Sequence, residues 1–461
     1  MSSLDIMKRF LEPKSVAIVG ASRDTGPGSF NVLEVLLESG YSGEIYPINP
    51  KVTQLLGRRA YPSVKAIPGE VDMAVIATGR HTVPGLVREC VEKGIKALVV
   101  IGQGFADADE EGKALQREIV ALARQGGARI LGPNTFGVVN SFNHLTTTFV
   151  RVVFRKLPVG VLSQSGVFFL HSPPQAPLVG KGIDLGNASD IGFEEALEYF
   201  EADPETRVVA IHIEGVPQGK RFLEAARRVA TKKPVLILKT GRTEEGRRAV
   251  QSHSGALAGR DEVWDGALRQ WGLLRVEDMD EMSDLVTAFL HLPPLRGRRV
   301  GVCTFTGGAG IIATDACSRH GLKMAQLSEE TLEKLARLSP SWLEVGNPFD
   351  MWQAMITAPL PLIQVLRTCL SAVAADPGVD ALFFIGTLFP PQDAPDPTEV
   401  LAEVAAQHPD KPVVCWCYGR RQPEAVSYFE DRGGVALFPS PERAARALAK
   451  LAYYWERVAI A

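Results

Sequence analysis

Short runs of aliphatic and β-branched residues alternate along the chain with longer stretches whose apolar positions recur every three to four residues. The runs predict strands at 16–19, 44–48, 73–77, 97–101 and 129–131, with helices between them such as 83–93 and 110–125. A second series predicts strands at 159–162, 208–213 and 235–239 and helices at 193–201 and 219–230. A Pro-rich joint, HLPPLRG at 291–297, precedes a third series with strands at 300–305, 381–386, 413–418 and 435–438. Strand and helix in strict alternation imply βαβ units and parallel sheets. The expectation is an α/β chain of three consecutive Rossmann- or flavodoxin-like domains, at 1–150, 151–292 and 293–461.

A length of 461 residues accommodates three such cores. With 50 Lys and Arg against 53 Asp and Glu there is no global basic field, which argues against nucleic acid as a partner. No apolar run reaches the roughly 18 residues that span a bilayer, and the opening MSSLDIMKRFLEPKS lacks the apolar stretch of a secretory signal. The six cysteines form no CxxC pair, so neither a disulfide framework nor a zinc site is expected. These features predict a cytoplasmic protein without a metal site or membrane contact.

The first strand runs into GASRDTGPGS at 20–29 and then a helix. Glycines allow a tight turn, and a helix N-terminus offers N–H groups to an anion, so the loop suits NAD, FAD, CoA or a simple phosphate. The spacing is not G-x-G-x-x-G, and the second strand ends in Asn49-Pro50-Lys51, where a ribose-binding site has an acid. Lysine suits a phosphorylated ribose, as in NADP or the 3′-phosphate of CoA. Arg23 and Arg80 would add to that cluster, or all three are solvated loop charges.

Five blocks in order, VAIVGAS, IYPINPK (45–51), VDMAVIATG (71–79), GFADADEEG (104–112) and ILGPNTFGVVN (130–140), resemble the CoA-binding domain of the NDP-forming acyl-CoA synthetase and succinyl-CoA ligase α-subunit family. The resemblance implies CoA at the carboxyl ends of the strands. It makes Gly20, Ser22, Arg23 and Lys51 contacts, with Ala77 and Thr78 lining the next strand end and Asn134 at the GPN turn.

In the second domain, QSHSGALAG (251–259) places His253 between Ser252 and Ser254. A neutral imidazole is nucleophilic near pH 7 and its phosphoramidate is a good phosphoryl donor. Read without context, one of these serines caps a helix and His253 is a surface residue. The blocks 184–207 and 233–242 also resemble the family's ligase domain, which implies that His253 is phosphorylated and that Glu214, in VVAIHIEG, orients it. VLSQSG (161–166) matches the family's phosphate-holding helix start and implicates Ser165 and Gly166. The resemblance breaks at 167–182, where Pro173, Pro174 and Pro177 predict a helix ended after about two turns. His171 in this segment reads as an exposed loop residue, and His81, His144 and His212 as structural or surface residues.

The third domain opens with VGVCTFTGGAGIIATDAC (300–317), another strand, glycine turn and helix. With VGNPFDMW, LFFIGTLFP and FPSPERAARAL it extends the resemblance. Asp315 and Asp350 receive no catalytic role. No P-loop occurs, and the family supplies its nucleotide site with an ATP-grasp fold. The resemblance therefore implies an α subunit that acts on a small carboxylic acid and its acyl-CoA, and meets Mg-nucleotide only through an ATP-grasp β subunit. A homodimer is the other assembly expected. A CoA-binding protein without turnover, and an NADP-dependent oxidoreductase, are the rival readings.

Overall fold

The structure is a computed structural model that describes residues 2–26, 28–170, 179–254, 259–387, 397–418 and 423–458. The chain divides into two compact units, Met1–Glu277 and Asp278–Ala461.

Among its described residues the first unit holds a short hairpin, Gln54–Leu55 with Arg58–Arg59, and two larger sheets. One is five-stranded and parallel, ordered Glu44–Ile48, Ser15–Val19, Met73–Ile76, Ala97–Val100, Arg129–Leu131. The Ser15–Val19, Met73–Ile76 and Ala97–Val100 strands are buried along their whole length, which is why they read as continuous apolar runs. Helices Val83–Lys93 and Glu110–Gln125 occupy their predicted spans. Gly94, left-handed at φ 91°, ends the first; the Asp109 carboxylate accepts the Gly112 N–H and starts the second.

The other sheet has seven strands, ordered Leu274–Val276, Val235–Lys239, Val208–Ile213, Val159–Ser163, Lys181–Asp184, Val138–Asn140, Leu145–Thr146. The first five are parallel and the last two form an antiparallel edge. That hairpin precedes residue 150 in sequence yet pairs with Lys181–Asp184. The Lys181–Asp184 strand is not predicted from the pattern because it is short and begins with a charge. Lys181 is nevertheless buried, its ammonium held by Asp203 at 2.8 Å and Glu205 at 2.6 Å.

The two sheets are joined by side chains, not by apolar contact alone. The Asp190 carboxylate, from the second sheet's loops, accepts from Arg124 at 2.7 Å, Arg129 at 2.9 Å and the Ile130 N–H at 2.8 Å. Asn187 donates to Asp107 at 2.8 Å and Gln116 at 3.0 Å. One carboxylate shared by two guanidinium groups and an amide fixes geometry through charge-assisted bonds.

The second unit has a parallel sheet ordered Lys323–Met324, Arg299–Thr304, Ala381–Gly386, Val413–Cys417, Val435–Phe438, with Phe349–Asp350 paired to Arg299–Thr304. Helix Gly307–Arg319 follows the glycine turn and is capped by Thr306, whose hydroxyl accepts the Ala309 N–H. A cavity of about 670 Å³ opens beside this turn, lined by Phe305, Thr306, Asp350, Trp352, Met355 and Tyr418 among others. Among the described residues no helix is long and apolar enough to cross a membrane.

Candidate active site

All seven residues expected to contact CoA fall on the carboxyl edge of the five-stranded sheet, where ligands of open α/β sheets bind. Gly20 follows the first strand at φ +87°, and a Cβ there would lie 2.6 Å from both the Ala77 carbonyl oxygen and Thr78 Cγ2. Only glycine allows the loop to pack this closely on the neighbouring strand end. Ser22 accepts the Asp24 N–H at 3.0 Å within the loop. The Asn31 side chain then donates to the Ser22 and Asp24 carbonyls, at 3.2 and 2.9 Å, while capping the following helix. Asn49 donates to the Ala21 carbonyl at 3.0 Å and accepts the Lys51 N–H at 2.9 Å. Asn31 and Asn49 thus shape the loop, and their roles depend on partners that the linear pattern does not reveal.

Arg23 and Lys51 are exposed, and neither makes an ion pair among the described residues. Arg80 behaves differently. Its guanidinium is held by Asp109 at 2.9 Å, Glu111 at 3.0 Å and the Gly104 carbonyl at 2.8 Å, so it belongs to a carboxylate network and not to a free basic cluster. Its hydrogen bonds to Asp109 raise its pKa above the ordinary arginine value. Of the three cations expected to cluster here, Arg80 is thus taken up by carboxylates. Thr78 meets the Thr82 hydroxyl at 2.9 Å. Asn134 adopts φ 59° and reaches Asn187 at 3.4 Å, so the GPN turn faces the second sheet.

On that sheet three of the expected ligase residues, Ser165, Gly166 and Glu214, lie at adjacent strand ends. The Ser163 hydroxyl accepts the Ser165 N–H at 2.9 Å and donates to the Ser165 carbonyl at 2.8 Å, folding 163–166 into a tight turn. Gly166 packs against Phe136 so closely that a Cβ would lie 2.2 Å from Phe136 Cδ2. The side-chain carbonyl of Gln164 accepts the N–H groups of Glu214, at 2.8 Å, and Gly215, at 3.1 Å. The turn and Glu214 are thereby brought together, and Glu214 is buried. Helix Val167–Leu170 leaves the turn as a single turn of helix; Pro173, Pro174, Pro177 and His171 lie outside the described residues.

His253 belongs to the helix Glu244–Ser254. Its side chain, and residues 255–258, lie outside what is described.

Three further buried titratable groups surround this cluster. Burial pushes the Asp184 carboxyl up to about 6, although it accepts N–H groups from Phe136 and Gly186. Burial also lowers the Lys239 ammonium to about 8, against the attraction of Asp261 and Glu214. His212, expected to be a structural or surface residue, is buried with Nδ1 3.3 Å from Ser163 Oγ and Nε2 3.0 Å from Thr240 Oγ1. Among the described residues no group of three His, Cys, Asp or Glu side chains could hold a metal ion.

Comparison with known proteins gives this arrangement its context. Family models match in order: a CoA-binding domain over 14–141, a succinyl-CoA ligase-like flavodoxin domain over 156–289 and a ligase–CoA domain over 300–461. The chain is 35% identical to the α subunit of acetate–CoA ligase [ADP-forming] II of Pyrococcus furiosus, with 95% of each chain covered. It is also 35% identical to the α subunit of that organism's enzyme I, with 98% of each covered. Identity to acetate–CoA ligase [ADP-forming] II of Archaeoglobus fulgidus is 37%, but the chain spans only 55% of that protein's length. A solved structure of Ca. Korarchaeum cryptofilum dinucleotide-forming acetyl-coenzyme A synthetase 1, in complex with phosphate and ADP, superposes with a TM-score of 0.85 at 30% identity. It covers 97% of this chain and 96% of that one. With three domains matched in order and two α subunits matched over nearly their whole length, the chain belongs to the α-subunit family of the ADP-forming acetate–CoA ligases, which are acid–thiol ligases.

Proposed function

We propose that the chain is the α subunit of an NDP-forming acyl-CoA synthetase, interconverting acyl-CoA, NDP and phosphate with a carboxylic acid, CoA and NTP. The observation that carries this reading is the Gln164 bridge, which sets the Ser165–Gly166 turn beside Glu214 at the strand ends where the family's ligase chemistry is expected. In the proposed cycle a phosphate oxygen attacks the thioester carbonyl, the C–S bond breaks, and CoA leaves with a proton on sulfur. The resulting acyl phosphate is attacked at phosphorus by an imidazole nitrogen of His253; the P–O bond to the acyl group breaks and the carboxylate leaves. Glu214 orients and neutralises the charged ring, Ser165 and Gly166 hold the phosphoryl oxygens, and NDP then accepts the phosphoryl group.

CoA sits over Gly20, Ser22, Ala77, Thr78 and Asn134, with Arg23 and Lys51 toward its phosphates. The first domain, 1–150, binds it; 151–292 carries the phosphohistidine loop and 293–461 is the second ligase domain. Relatives named as α subunits support a second chain, and we assign Mg-nucleotide to an ATP-grasp β subunit. A homodimer of this chain is the other assembly. The reaction is placed in the cytoplasm, with its CoA and nucleotide pools.

The half-reaction needs no nucleotide, so it can be measured on this chain alone. Release of free thiol from acetyl-CoA, and from longer acyl-CoAs, should depend on added phosphate. Thiol release that is indifferent to phosphate, or absent with every acyl-CoA, contradicts the proposal.

A further inference from the structure

We infer that His212 is a positioning residue for the Ser163–Gly166 turn, fastening it from both sides in the geometry that receives phosphate. The inference rests on the reading of that turn given above. His212 lies within the strand Val208–Ile213, two residues before Glu214, and is buried. Its ring meets the turn at the two points where the turn begins and ends. Before it, Nδ1 lies 3.3 Å from Ser163 Oγ. After it, the imidazole face stacks on Phe168, with ring centroids 4.4 Å apart and planes inclined by 22°.

Proton bookkeeping fixes the direction of these bonds. The Ser163 hydroxyl has one hydrogen, and it goes to the Ser165 carbonyl; the same oxygen already accepts the Ser165 N–H. What remains on Ser163 Oγ is a lone pair, so His212 Nδ1–H is the donor. The Thr240 hydroxyl has one hydrogen and two acceptors in reach, His212 Nε2 at 3.0 Å and the Ile213 carbonyl at 3.3 Å; in the neutral ring Nε2 is the acceptor, at the shorter distance. Thr240 is itself anchored, its N–H donating to the Ile213 carbonyl at 3.0 Å. A chain of bonds therefore runs from the neighbouring strand end at Thr240, through the imidazole, to the hydroxyl that closes the turn. The Gln164 bridge fastens the middle of the same turn to Glu214. Phosphate held by backbone N–H groups depends on those groups being aimed before it arrives. His212 aims them without touching the phosphate.

The test uses the full chain and inorganic phosphate, with affinity measured by equilibrium dialysis of radiolabelled phosphate and CoA affinity measured alongside. His212→Phe keeps the stack and removes both hydrogen bonds; it should weaken phosphate binding about tenfold, the equivalent of one lost buried hydrogen bond, and leave CoA affinity unchanged. His212→Asn places an amide N–H near the Nδ1 position and should restore phosphate affinity to within about twofold of wild type. A fall in phosphate affinity confined to His212→Phe supports the assignment. Equal weakening in both variants, no weakening in either, or a parallel loss of CoA affinity overturns it. Wild-type protein that binds CoA but not phosphate also overturns it, whereas wild-type protein that binds neither contradicts the proposed function itself.

Discussion

Gln164 and Glu214 stand fifty residues apart in sequence, yet the side-chain carbonyl of one accepts the backbone N–H of the other at 2.8 Å. The same oxygen takes the Gly215 N–H, so two strand ends share one acceptor in a buried position. Gln164→Leu leaves two buried donors unsatisfied, which costs about 2–4 kcal/mol. The expected outcome is a clear drop in melting temperature together with slower phosphoryl transfer, while CoA affinity holds. A thermal scan, a thiol-release assay and a CoA titration check all three.

Gly166 and Phe136 form a second pair that can be tested by exchange. Gly166→Ala puts a methyl group into the Phe136 ring and should destabilise by about 1–3 kcal/mol through overpacking. Adding Phe136→Leu makes room for it, and the double variant should recover part of the loss. A double-mutant cycle on denaturant midpoints measures the coupling.

Ligand affinity should divide the three basic residues of the first domain. If CoA binds as proposed, Arg23→Ala and Lys51→Ala each remove a charge-assisted phosphate contact and should weaken CoA about 10- to 100-fold. The Lys51 effect should shrink for dephospho-CoA. Arg80→Ala should act instead through stability, because Arg80 is tied to Asp109 and Glu111. Calorimetric titration with both ligands separates these outcomes.

Asp184 predicts a pH dependence of stability with a definite sign. Its carboxyl titrates at about 6 in the folded protein and near the ordinary 3.8 when unfolded. Between these values the native state holds a proton that the unfolded state has lost. Stability from this group therefore declines as pH rises from about 4 to 6, by an amount on the order of 3 kcal/mol. Asp184→Asn removes the titration and should flatten the stability–pH curve across that window. A steeper curve for the variant would be the opposite of what the burial requires.

Much of the fold is legible in the sequence because parallel strands buried on both faces spell themselves as uninterrupted aliphatic runs, as at 16–19 and 208–213. The Lys181–Asp184 strand escapes that signal: its first residue is a lysine, made tolerable only by Asp203 and Glu205 from beyond the next helix. The glycine loop that follows the first strand is visible through its glycines and the strand end before it. Arg80 is misread as a free cation because its partners, Asp109 and Glu111, belong to a different βα connection. His212 is passed over for the same physical reason, since Ser163, Phe168 and Thr240 come from other strands and loops. Residue type and spacing expose local chemistry; pairings between strand ends emerge only when the sheet is assembled.

The central claim is that His253 carries the phosphoryl group. Incubating the chain with acyl phosphates labelled at phosphorus, without nucleotide, tests it most directly. The account predicts an acid-labile, base-stable label that maps to His253, is abolished by His253→Asn and forms more slowly in Glu214→Gln. A label that persists in His253→Asn, or a wild-type chain that stays unlabelled by every acyl phosphate while binding CoA, would contradict it.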